Sequence, residues 1–141
     1  MEWTNKLQQG LLTGLVSGLF LGFFMKCAEF ISGYRVYRLL LNINFRPFEK
    51  EINPSEVLEF LIHLLVSILV AFVYIMLTKN KTPFFKKLIT ALIVITPVII
   101  LYFPLTSLGS SQVDSITFIG FTIWTLGHLL YACILAAMAK G

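Results

Sequence analysis

LITALIVITPVIILYFPLTSLGSSQV, Leu88 to Val113, is 26 residues without one Asp, Glu, Lys or Arg. A helix rises about 1.5 Å per residue and bilayer hydrocarbon is about 30 Å thick, so this stretch is long enough to cross a membrane. Working outward, Ser115–Ala139 is a second charge-free run of 25 residues, and Phe60–Thr78 and Leu7–Met25 are runs of 19, together 89 of 141 residues. Hydrophobic residues make up 57% of the chain and charged ones 13%, and mean hydropathy is +0.86. A soluble globular domain is excluded, and too little chain remains for a second one. The runs are apolar on every face instead of alternating, which excludes strands of a membrane barrel. The expected fold class is an all-α membrane protein: one integral domain over residues 1–141, with four transmembrane helices in a single bundle at about 11–31, 57–78, 87–108 and 117–139.

The net charge of +4 would suggest nucleic acid in a soluble chain. Here the basic residues flank apolar spans, where lipid headgroups and topology account for them, so membrane lipids are the expected partner and nucleic acid is not. Lys6, Lys79, Lys81, Lys86, Lys87 and Lys140 fall on one side of the four spans and Arg35, Arg38, Arg46 and Lys50 on the other. Six against four places both termini in the cytoplasm. Phe24-Met25-Lys26 offers no small-residue cleavage pattern, so the first span is expected to stay as an anchor. Cys27 and Cys133 read as small apolar fillers.

The loop at 33–56 is expected to be partly interfacial. Tyr34-Arg35-Val36-Tyr37-Arg38-Leu39-Leu40-Leu41 mixes aromatic, basic and apolar residues as a segment lying on headgroups does, with its arginines outward. Asn53-Pro54-Ser55-Glu56 reads as a turn ahead of the second span, with Ser55 as N-cap.

Gly14, Gly18 and Gly22 recur every fourth residue in the first span, a double small-xxx-small stripe that lets another helix approach closely. That neighbour is either another helix of this chain or a second copy of it, a homo-oligomer through the first helix. Ionisable groups in a membrane are costly and invite a functional reading. Lys26 and Glu29, three residues apart, share a face and are able to pair, or else each snorkels to the interface. With His63, Ser67 and His128 they form a candidate intramembrane polar path, and the matching depths of Ser67 and His128 make those two the expected interhelical pair. No nucleophile elbow, metal motif, phosphate loop or cofactor signature is present, so the expectation is no enzyme, no metal and no cofactor.

These residues resemble the YagU-like family of small inner-membrane proteins. Gly14-Leu-Val-Ser-Gly18 leading to Lys26 and Glu29 is similar to its first helix, and His63, Ser67, Ala71 and Tyr74 to its second. Tyr102-Phe103-Pro104-Leu105 resembles the outward end of its third helix, and Gly127-His128-Leu129-Leu130-Tyr131 its fourth-helix signature. Ile99, Trp124 and Ala136 stand where that family places titratable groups, which weakens a proton-relay reading. The resemblance implies a four-span cytoplasmic-membrane protein and no particular activity. Three functions follow as expectations: a non-enzymatic component of the envelope or acid stress response, a small solute or proton-linked transporter using the polar path, and a scaffold docking a partner through the loop at 33–56.

Overall fold

The computed structural model describes residues 2–43, 55–78, 81–109 and 114–139. Arg46, Lys50, Asn53, Pro54, Lys79 and Lys140, invoked above for topology and loop structure, lie outside them. The described residues form α1 (Glu2–Ser32), α2 (Val36–Leu41), α3 (Glu56–Leu77), α4 (Phe84–Ile100), α5 (Tyr102–Leu108) and α6 (Phe118–Met138). Four segments, Trp3–Ser32, Glu56–Leu77, Phe84–Leu108 and Phe118–Met138, are long and apolar enough to cross a membrane. The chain is a multi-pass membrane protein built as an α-helical bundle. Four crossings return it to the end where it began, so one end carries the termini and the other carries α2.

Two boundaries differ from expectation. α1 begins at Glu2, not near residue 11, because nothing in Thr4–Gln9 breaks a helix and the turns simply continue past the hydrocarbon. The third span is interrupted at Leu101, between α4 and α5. Pro97 and Pro104 lack amide hydrogens; Pro104 falls in the first turn of α5, where a missing donor costs nothing. Ser55 caps α3 as expected, its hydroxyl accepting from Leu58 N at 3.3 Å.

α1 is the central helix, packed along α3 on one side and α6 on the other, and α6 packs in turn on α4. Its buried face is small and weakly polar: Thr13, Gly14, Ser17, Gly18, Leu21, Gly22 and Met25. A Cβ on Gly14 would lie 2.5 Å from Ile68 Cα, and one on Gly18 would lie 2.7 Å from Ser67 Oγ. The stripe therefore serves close approach within the chain, where α3 fills it along Phe60, Ser67 and Ile68. Gly127 does the same for α6, against Met25 of α1.

The outer faces are apolar, as lipid requires: Phe23 is 70% exposed and Ile93 67%. Thr96 and Thr122 on these faces donate to carbonyls four residues back, at 2.7 and 2.8 Å, so neither of these hydroxyls is left without a partner in hydrocarbon.

α3 and α4 touch sparingly, and Tyr74 Oη donating to Lys87 O at 3.2 Å joins them at the termini end. Toward the other end they leave a cleft, with α2 lying across it. α2 buries Val36, Tyr37, Leu39 and Leu41 and leaves Arg35 and Arg38 exposed.

Candidate functional site

At the α2 end, α1 closes at Gly33, whose φ of +76° is one that glycine adopts without strain. The chain then turns into α2 directly over the Glu29 carboxylate. Glu29 Oε2 accepts from Tyr37 N at 2.8 Å and Arg38 N at 3.0 Å, and its other oxygen lies 3.6 Å from Arg38 Nε. Arg35 N donates to Asp114 Oδ2 at 2.8 Å, tying α2 to the segment before α6. Lys26 does not pair with Glu29; its Nζ is 2.7 Å from Glu56 Oε1 at the start of α3. The turn at Gly33 gives Glu29 two main-chain donors, which hold it away from the lysine. Tyr37 Oη also donates to Glu56, at 3.1 Å. Burial pushes the Tyr37 phenol up to about 12, and that hydrogen bond and the Glu56, Glu29 and Glu59 carboxylates push it the same way.

The other three path residues lie deeper. His63 Nε2 donates to Gly18 O at 3.1 Å. Ser67 Oγ donates to Gly14 O at 2.7 Å and lies 2.9 Å from Tyr131 Oη. His128 Nδ1 donates to Trp124 O, one turn back on its own helix, at 2.7 Å, and its ring sits 4.3 Å from the indole. The expected His128–Ser67 pair is therefore replaced by Tyr131–Ser67. α1 lies between α3 and α6, and only the longer phenol spans the gap.

These groups converge on one chamber of about 260 Å³ in the cleft. Asn42, Glu59, His63, Ser67, Trp124, His128 and Tyr131 contribute its polar atoms, and Leu21, Ile62, Val66, Val70, Ile95, Val98, Leu101 and Leu105 its apolar wall, with Leu40, Leu41 and Ile43 at the α2 end. Its side faces the surroundings between α3 and α4, since Val66 is 51% exposed and Leu101 47%. The structure thus brings together His63, Ser67 and His128 and leaves Lys26 and Glu29 outside. Lys26 instead borders a shallow groove between α1 and α3, over Gly22, Phe23 and Phe60.

Sequence reasoning missed Trp124 and Tyr131 as site residues. Tyr131 lies three residues after His128 and hence on its face, a signal that was legible. It also missed Lys87, counted above as a loop charge but buried, with Nζ donating to Ala139 O at 2.7 Å past the end of α6. Among the described residues no cluster of three or more His, Cys, Asp or Glu is placed to hold a metal.

Fold and chamber define a multi-pass membrane protein with a small intramembrane cavity. No protein-family model matches the sequence, and neither a curated protein nor a solved structure matches the chain.

Proposed function

We propose that this chain is a non-enzymatic binding protein of the bacterial cytoplasmic membrane, with both termini inside, which serves the envelope's response to stress such as acid. The observation that carries the reading is the chamber: a predominantly apolar cavity with a few convergent polar groups is the usual form of a small-molecule site. Transport is less well supported. His63, Ser67 and His128 each donate to a main-chain carbonyl instead of to one another, and Lys26 and Glu29 do not extend them into a line. The resemblance to YagU-like proteins agrees with the membrane assignment.

The test is reconstitution into vesicles holding a pH-sensitive dye. After an external acid jump, loaded and protein-free vesicles are expected to acidify at the same rate; a faster leak suppressed by Tyr131→Phe would favour the transporter. In cells, narrowing the chamber with Val66→Phe is expected to impair survival of acid stress as deletion does. Equal survival of both strains and the parent would sink the stress role. For topology, a cysteine at Ser115, in a chain with Cys27 and Cys133 replaced by alanine, is expected to label from outside intact cells; labelling only after permeabilisation reverses the orientation.

A further inference from the structure

The chamber's hydrogen-bonding inventory specifies what it takes. Carbonyl oxygens only accept, so the bonds to Gly18 O and Trp124 O place the hydrogens of the neutral rings on His63 Nε2 and His128 Nδ1. That leaves His63 Nδ1 and His128 Nε2 as acceptors, and among the described residues neither has a protein partner. Both side chains are more than nine-tenths buried, at 8% and 1% exposure, and both line the chamber. The donors on the α3 and α6 walls are all engaged. Tyr131 Oη donates to Ser67, Ser67 Oγ to Gly14 O, and Trp124 Nε1 to Val98 O at 3.3 Å. These two walls therefore offer acceptors and no spare donor.

The way in is apolar. Val66 of α3 and Leu101 beyond α4 form the half-exposed rim, within segments that cross the membrane, so a ligand reaches the chamber from the bilayer. About 260 Å³ lies just below the roughly 300–1,000 Å³ of sites for drug-sized ligands, which suits one chain and its head, not a two-chain phospholipid. Against the α3 and α6 walls a phosphate head would also set acceptor oxygens against acceptor nitrogens and the Glu59 carboxylate.

We propose that the chamber binds a single-chain lipid whose polar end is an uncharged hydroxyl donor, a long-chain alcohol or a protonated fatty acid. The hydroxyl donates to His63 Nδ1 or His128 Nε2 and the chain leaves between Val66 and Leu101. The proposal rests on the reading of the chamber as a binding site and adds the ligand's chemistry.

Trp124 lines the chamber, and Trp3 is the chain's other tryptophan, so Trp3→Phe makes indole fluorescence report on the site. The purified full-length variant in detergent micelles is titrated with a dibrominated long-chain alcohol, the matching fatty acid under conditions that keep it protonated, the methyl ether of the alcohol, and a dibrominated phosphatidylcholine. Saturable quenching by the alcohol or the acid is expected at about fivefold or more higher affinity than by the ether, which keeps the chain and loses the donor. The tighter of the two names the source. Phosphatidylcholine is expected to quench without saturating. Val66→Phe with Leu101→Phe narrows the rim without touching the histidines and is expected to remove the saturable component, while one of His63→Phe and His128→Phe, whichever removes the accepting ring, is expected to erase the preference for alcohol over ether. Saturable but equal quenching by alcohol and ether, blocked at the rim, would overturn the donor inference and leave a lipid-binding chamber. Saturable quenching by phosphatidylcholine as tight as by the alcohol would overturn the single-chain assignment. Quenching by none of them would overturn the binding reading itself.

Discussion

Gly14→Ala adds one methyl group where α1 and α3 are closest. The new Cβ would sit 2.5 Å from Ile68 Cα and 3.0 Å from Ile68 N, whereas ordinary contact begins at 3.4 Å. The helices must therefore part by most of an ångström, because the obstacle is backbone and cannot rotate away. Overpacking of this kind costs about 1–3 kcal/mol. Parting the seam also stretches Ser67 Oγ to Gly14 O and His63 Nε2 to Gly18 O, at about 0.6 kcal/mol each for polar pairs in membranes. Against this, alanine is a better helix former than glycine by about 0.5–1 kcal/mol. The balance is a loss of roughly 2 kcal/mol. Gly10→Ala is the control, since its Cβ meets Phe72 Cα at 3.2 Å and needs only a small adjustment; there the propensity gain is expected to offset the crowding. Gly22→Ala should fall between them, because its obstacle is the edge of the Phe60 ring, which can swing. Thermal unfolding of the three variants in detergent, followed by Trp124 fluorescence and circular dichroism, gives the order. A Gly14→Ala protein melting with Gly10→Ala would refute the close-approach account.

Lys87→Met keeps the apolar stem and deletes the donor to Ala139 O; a loss of about 1–2 kcal/mol is expected, with faster amide exchange confined to the last turn of α6. Ser55→Ala removes the cap on Leu58 N and should cost about 1 kcal/mol, read from the melting temperature against Ser55→Thr, which retains the hydroxyl. Because folding raises the Tyr37 phenol from 10.0 to about 12, its contribution to stability is fully present below pH 10 and is lost as pH rises through 12. Tyr37→Phe should therefore flatten the alkaline limb of the stability profile, and an unchanged profile would contradict the burial of that hydroxyl. Glu29→Gln keeps one acceptor for the start of α2 but loses the charge beside Arg38; it is expected to loosen α2, seen as increased proteolysis after Arg35 or Arg38, while the melting of α1, α3 and α6 is largely unchanged.

The spans were legible because their signal is length without charge, which needs no knowledge of neighbours, and the Ser55 cap because its partner is three residues away. Which residues pair across helices was not. Counting residues fixes height in the membrane and leaves azimuth open: Ser67 and His128 share a depth, yet α1 stands between their helices, so the imidazole takes its own helix's Trp124 carbonyl and Tyr131 makes the crossing. Lys26 and Glu29 are neighbours on α1, but the donors that hold Glu29 exist only after the chain turns at Gly33.

In lipid, apolar periodicity ceases to mark the inner face, because every face is apolar. Small and weakly polar residues carry that information instead. Thr13, Gly14, Ser17 and Gly18 on α1, and Gly127, His128, Tyr131 and Ala132 on α6, are all buried, and the spans of α1 and α6 are each 39% buried in their most apolar windows. The α4–α5 span has no comparable stripe and is 17% buried. A helix so weakly held on one side is the natural wall for a cavity that opens to the bilayer. The pattern that leaves α4 poorly packed against α3 is thus the same pattern that places the chamber between them.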